Sequence, residues 1–218
     1  GGSFMMVFDA ATGEVTAYDG REVAPSAATP ELFYEDGRPL GFLDAVLSGR
    51  STGVPGAVAM LGLAQKEHGT LPWSALFGDA ERLARDGFVV SPRLAGMIAL
   101  TGGQARTDRA NAYFTKPDGT RYVAGDTLRN PAYADTIAGL ARGGAAVLYS
   151  GPLAQSIVDA VHEGPRPGAL TVADLAAYRP IAREALCRPF RTYVVCIPPP
   201  PSSGVSLLQL LALSLIHI

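Results

Sequence analysis

No two glycines in this 218-residue chain stand at i and i+2, which excludes the G-x-G-x-x-G loop of dinucleotide-binding folds. No glycine precedes a lysine, so a phosphate-cradling P-loop is excluded as well. The three histidines, His68, His162 and His217, are isolated and offer no metal-ligand spacing. Neither a metal nor a cofactor is expected. Two cysteines are too few for a disulfide framework and fit no zinc pattern, so Cys187 and Cys196 read first as small buried hydrophobes, with a disulfide across a hairpin in an oxidising compartment as the alternative. A net charge of −2 leaves no basic face for a phosphate backbone, and nucleic acid is not an expected partner. No apolar run approaches the ~20 residues of a membrane span. The longest, Val205 to Ile218, is interrupted by Ser206, Gln209, Ser214 and His217.

What the chain does contain is globular: 48% hydrophobic and 17% charged, with 25 glycines and 17 prolines making it turn-rich. It opens inside a strand pattern and stops inside an apolar helix pattern without a cap. Residues 1–218 therefore read as one internal fragment, cut at both ends, with no second domain. Phe4–Phe8 and Val15–Tyr18 flank a Gly-containing loop and predict a β-hairpin, which places Arg21 at a strand exit. Ser26–Gly53 reads as surface loop with one short helix near Leu43–Leu47. From Val54 the period becomes helical, with Val58, Leu61, Ala64 and Gln65 on one face until Gly69. A second helix opens at Pro72 with Leu76, Ala80, Leu83 and Ala84 inward, and a third follows the Ser91-Pro92 cap. Later helices are expected at 130–142, 151–162, 171–177 and 203–213, and one strand at 192–197. The class is α/β (α+β), mostly helical after residue 54.

Three motifs carry possible chemistry. Gly49-Arg50-Ser51-Thr52-Gly53 matches the G-x-S-x-G nucleophile elbow, but that elbow needs a strand before its serine. Here the preceding residues read as helix, so Ser51 is expected to be a loop serine. Arg21, followed by the proline-fixed segment Glu22-Val23-Ala24-Pro25, is a partly preorganised arginine whose planar fork can grip a carboxylate. Pro198 to Gly204 reads as a polyproline II connection into a Ser-capped helix, or as a ligand for an SH3-like groove.

Eight segments then stand in a telling order. They are Gly1-Gly2-Ser3-Phe4-Met5, Arg21-Glu22-Val23-Ala24-Pro25, Gly53-Val54-Pro55-Gly56 and Gly69-Thr70-Leu71-Pro72-Trp73. Leu83 to Phe88, Gly125 to Leu128, Asp174 to Tyr178 and Pro199 to Gly204 complete the set. Together they resemble the large-subunit part of γ-glutamyltransferase, also called γ-glutamyltranspeptidase or glutathione hydrolase, over residues 1–213. Ser3 and Val205 stand where that family usually has glycine, four prolines replace three, and the tail from Leu213 departs from the pattern.

The resemblance implies an N-terminal-nucleophile hydrolase fold, an αββα sandwich. It implies a proenzyme that cleaves itself and frees a threonine whose own amine acts as base. That threonine belongs to a Thr-Thr-His-type motif, and this chain has no Thr-His dipeptide, so it is expected to hold no catalytic residue. Of the family's substrate contacts one maps here: Arg21, which would bind the α-carboxylate of the γ-glutamyl group, with Glu22 bracing it. The implied partners are γ-glutamyl compounds such as glutathione and the small subunit of the same proenzyme, in the periplasm or secreted. A cephalosporin or glutaryl acylase-like amidase of the same fold, or a non-catalytic polyproline-bearing binding protein, are the other readings.

Overall fold

The computed structural model describes residues 1–100 and 107–216. In chain order the elements are β1 (Ser3–Phe8), β2 (Val15–Gly20), β3 (Tyr34–Glu35), β4 (Arg38–Pro39), α1 (Phe42–Val46), α2 (Ala57–His68) and α3 (Gly78–Asp86). There follow β5 (Phe88–Val89), α4 (Pro92–Ala99), α5 (Asp108–Tyr113), β6 (Thr127–Leu128), α6 (Pro131–Gly143), α7 (Gly151–Val161) and α8 (Val172–Ala177). The hairpin strands β8 (Leu186–Phe190) and β9 (Tyr193–Ile197) follow β7 (Ile181–Glu184), and α9 (Gly204–Ile216) comes last. Helices mixed with antiparallel strand pairs give the expected α+β class. The chain divides into two compact units.

The first unit gathers Gly1–Val23, Val54–Gly69 and Ala177–Ile218. Its sheet has the order β1-β2-β7, all antiparallel, with Ser3 opposite Gly20 and Ala17 opposite Arg183. The hairpin expected from the alternation is therefore present, and β2 is its buried strand. Tyr18 is 1% exposed and packs under Met60 and Ala64 of α2. The expected face of α2 is only partly right: Ala64 is inside, but Leu61 is half-exposed and Met60 takes the buried place. Residues 57–64 are apolar nearly all round, so periodicity alone does not choose the face. Close approach decides it, because a Cβ on Gly20 would lie 2.4 Å from Met60 Cβ, so β2 and α2 meet where one side chain is missing.

β8 and β9 form a five-pair hairpin closed by Arg191-Thr192, with Arg191 in the left-handed region at φ 55°. Cys187 and Cys196 are directly opposed in this ladder and form a disulfide. This corrects the first reading, two separate buried hydrophobes, in favour of the alternative, a disulfide across a hairpin. Their separation of nine is what a two-residue turn at Arg191-Thr192 needs to bring them face to face.

The second unit, Ala24–Gly53 with Thr70–Ala176, is mostly helical. α3 packs on α6 through Ala84, Ala134 and Ile137. Val90, Ile98 and Leu128 form a second cluster beneath α4 and α5. The caps are those the sequence offers. Ser91 Oγ accepts the Leu94 N–H at 3.2 Å, Asn130 Oδ1 accepts the Tyr133 N–H at 3.0 Å, and a proline follows each at the first helical position. The helix expected from Pro72 is instead a 3₁₀ turn, Trp73–Leu76, and then α3. The Trp73 indole donates to the Leu140 carbonyl at 2.9 Å, a tertiary anchor that outweighs local propensity. Among the described residues, no helix is long and apolar enough to cross a membrane.

Candidate functional site

Arg21 follows the last residue of β2, at the strand exit where the sequence places it. Its main chain is held on both sides. Asp19 Oδ1 accepts the Arg21 N–H at 2.9 Å, a two-residue Asx-type bond. The Tyr178 hydroxyl donates to the Arg21 carbonyl at 2.8 Å. Two residues on, Val23 and Val54 exchange backbone bonds of 3.3 and 2.8 Å. The peptide units flanking Arg21 are thus fixed, and its side chain is 44% exposed. Arg21 Nε stands 3.4 Å from Glu22 Oε1, and Glu22 is equally open to solvent, so the pair is screened and displaceable.

Two glycines permit this crowding. A Cβ on Gly2 would fall 2.0 Å from the Glu22 carboxylate, and one on Gly56 would fall 2.1 Å from the Tyr178 hydroxyl. The Gly1 carbonyl accepts the N–H groups of Gly56 and Ala57 at 3.1 and 3.2 Å, at the start of α2. Residues of four separate motifs quoted for the resemblance, Gly1-Gly2, Arg21-Glu22, Gly56 and Tyr178, therefore meet around one arginine. Asp19 and Arg183 complete the neighbourhood, and sequence reasoning missed both. Asp19 is buried at 7% exposure, and its Oδ2 accepts Arg183 Nε at 3.0 Å. The available signal was a charge inside the buried strand of a hairpin, flanked by Tyr18 and Gly20.

The remaining candidates are structural. Ser51 lies in a 3₁₀ turn after α1, and its hydroxyl donates to the Val46 and Ser48 carbonyls at 2.9 and 3.0 Å. It is the loop serine expected. His68, the last residue of α2, stands 2.7 Å from the Tyr18 hydroxyl, which also donates to Glu67. His162 caps α7, and His217 lies outside the described residues. Asp174 in the second unit closes a capping box with Thr171: its carboxylate accepts the Thr171 N–H at 2.9 Å, and its own N–H donates to Thr171 Oγ1 at 3.1 Å. Burial works to raise the Asp174 pKa, but hydrogen bonds from Ser26 and Thr171 outweigh it and hold the group at about 2. An open groove of about 800 Å³ lies at the other end of β2, lined by residues 13–16 and 182–188. It mixes Glu14 and Glu184 with Arg183 and Arg188.

Residues 1–215 match the family described as Gamma-glutamyltranspeptidase. The chain is 34% identical over 214 residues to the "Glutathione hydrolase proenzyme" of Escherichia coli, covering 97% of this chain and 36% of that protein. It therefore spans about a third of that relative's length. The γ-glutamyltranspeptidase of Helicobacter pylori superposes with a TM-score of 0.89 at 31% identity, covering 97% of this chain and 60% of that one. A cephalosporin acylase from Bacillus halodurans superposes less closely, with a TM-score of 0.76 at 28% identity, covering 95% and 39%. With nearly its whole length matched and the motifs gathered around Arg21, the chain belongs to the γ-glutamyltranspeptidase family.

Proposed function

We propose that this chain is the large-subunit part of a γ-glutamyltransferase or glutathione hydrolase. The complete protein transfers the γ-glutamyl group of glutathione and related compounds to water or to amino acids, through a threonine that this chain does not contain. Arg21 binds the α-carboxylate of the γ-glutamyl group. The observation that carries the reading is the arginine itself: its backbone is fixed by Asp19 and Tyr178, and its guanidinium is half-open beside a weak partner. A substrate carboxylate can replace Glu22 at little cost, since an exposed pair contributes about 0–1 kcal/mol. Two parallel hydrogen bonds to a planar fork would then orient the donor. The partner is the small subunit of the same proenzyme. The site of action is the periplasm or the exterior, a reading supported by the Cys187–Cys196 disulfide, since such bonds form and persist in oxidising compartments and are rare in reducing ones.

The test uses the complete proenzyme. Arg21→Ala loses charge and fork, while Arg21→Lys keeps charge alone. Each should lower kcat/KM for a γ-glutamyl anilide by roughly 30- to 1000-fold, equivalent to about 2–4 kcal/mol, mostly through KM. Self-cleavage, read on a gel, should persist because it involves no free substrate. Unchanged kinetics in both variants would make Arg21 an ordinary surface arginine.

A further inference from the structure

Asp19 is the single charged side chain among the described buried residues. A carboxylate is costly to bury unless it is paired, and a strand end facing α2 has no packing need for one. Its two oxygens point to two separate tasks. Oδ1 fixes the Arg21 N–H, and Oδ2 takes Arg183 Nε at 3.0 Å. The register explains the second bond. Arg183 of β7 stands opposite Ala17, so Asp19, two residues along the same face, is its diagonal neighbour. Arg21 lies two residues further along the chain, just past the end of β2, within reach of a long side chain folding back.

We propose that Arg183 is a positioning residue that occupies the buried Asp19 carboxylate and so leaves the Arg21 guanidinium free for substrate. The proposal rests on reading Arg21 as the carboxylate-binding group. Without Arg183, Asp19 would be an uncompensated buried charge with a second guanidinium next to it. Arg21 would then turn inward, because a pair shielded from water outweighs its screened contact with Glu22. Asp19 alone would anchor the backbone and disable the side chain. Asp19 together with Arg183 anchors the one and spares the other.

The experiment compares Arg183→Gln, Arg183→Lys, Asp19→Asn/Arg183→Gln and Arg21→Ala in the complete proenzyme, with self-cleavage as the check on folding. Arg183→Gln should raise KM for a γ-glutamyl anilide about 10- to 100-fold, the scale of a misplaced binding group. It should also protect Arg21 from phenylglyoxal, read by mass mapping of the peptide that contains it. Arg183→Lys keeps Asp19 paired and should stay within about threefold of wild type. Adding Asp19→Asn to Arg183→Gln removes the trap and should bring KM most of the way back. A high KM for Arg21→Ala beside a wild-type KM and unchanged labelling for Arg183→Gln overturns the proposal and leaves the Arg21 reading standing. A wild-type KM for Arg21→Ala sinks that reading instead.

Should Arg183→Gln fail to be processed, Arg183→His takes its place. An imidazolium pairs with Asp19 below a pH of about 6.5 and a neutral ring does not above it, so KM relative to wild type should climb from pH 6 to 8. Glu14, Glu184 and Arg188 line the same groove as Arg183 and are common to both proteins, so they cancel in that ratio. A flat ratio overturns the proposal.

Discussion

Tyr18 illustrates how one residue ties burial to chemistry in the first unit. Its ring is 1% exposed beneath α2, and its hydroxyl donates to Glu67 while lying 2.7 Å from His68 Nε2. Burial, and then the hydrogen bond and charge of Glu67, push the phenol up to about 12. The folded state therefore holds this proton more tightly than the unfolded chain, whose tyrosine titrates near 10. Stability from this group is intact below a pH of about 10 and falls as pH rises toward about 12. Tyr18→Phe should cost about 1 kcal/mol at neutral pH, at the low end for a lost buried donor because Glu67 can turn to water. It should also flatten the alkaline limb of the unfolding curve, which urea melts of the complete proenzyme at several pH values would read. An equally steep limb in Tyr18→Phe would assign the alkaline loss to another group. The same scale explains what was legible at the site. Arg21 stood out because motif and strand exit coincide in one local stretch. Asp19 showed only as a charge within a buried strand, and the bonds of Tyr178 to Arg21 and of Arg183 to Asp19 gave no local signal, since they join residues 157 and 164 positions apart in the chain.

At the level of elements, what the sequence disclosed was whatever short-range chemistry specifies. The β1–β2 hairpin follows from alternation and a turn, and α4 and α6 follow from a capping residue with proline behind it. β7 escaped because Ile181-Ala182-Arg183-Glu184 has no alternation of its own, and it is a strand only through pairing with β2. β8 escaped similarly: Pro189 lies within it, and its register depends on the β9 partner. The Cys187–Cys196 cross-link makes that hairpin testable. The bond closes a short loop, and the chain-entropy relation assigns such a loop about 2–3 kcal/mol. Replacing both cysteines with serine should lower the unfolding free energy by that amount, seen as a lower denaturant midpoint, and dithiothreitol should bring wild type to the same midpoint. A reductant-insensitive midpoint with both thiols open to alkylation would mean that the ladder and α9 fix the hairpin unaided.

At the scale of the whole chain, many large apolar side chains stand open to solvent. Leu207, Leu210 and Leu213 recur along α9 at 47%, 64% and 51% exposure, and Tyr193 and Val194 of β9 stand at 71% and 69%. Phe8 at 65% adds to this on β1, which forms one edge of its sheet. Contiguous apolar patches on soluble monomers stay near a few hundred Å², and an unpaired strand edge invites pairing with another chain. The 218-residue chain expressed alone should therefore self-associate, bind a hydrophobic dye and melt without a sharp transition. It should also fail to turn over γ-glutamyl anilides. On the proposed reading Arg21 would supply binding alone, whereas hydrolysis needs an activated nucleophile, and neither Ser51, hydrogen-bonded into its own turn, nor any Thr-His pair provides one. Light scattering, dye binding and an anilide assay on the same preparation test both halves. A monodisperse monomer with a cooperative melt would mean that these faces are tolerated without a partner. Turnover above a buffer control would reveal a nucleophile within these 218 residues and displace the threonine mechanism.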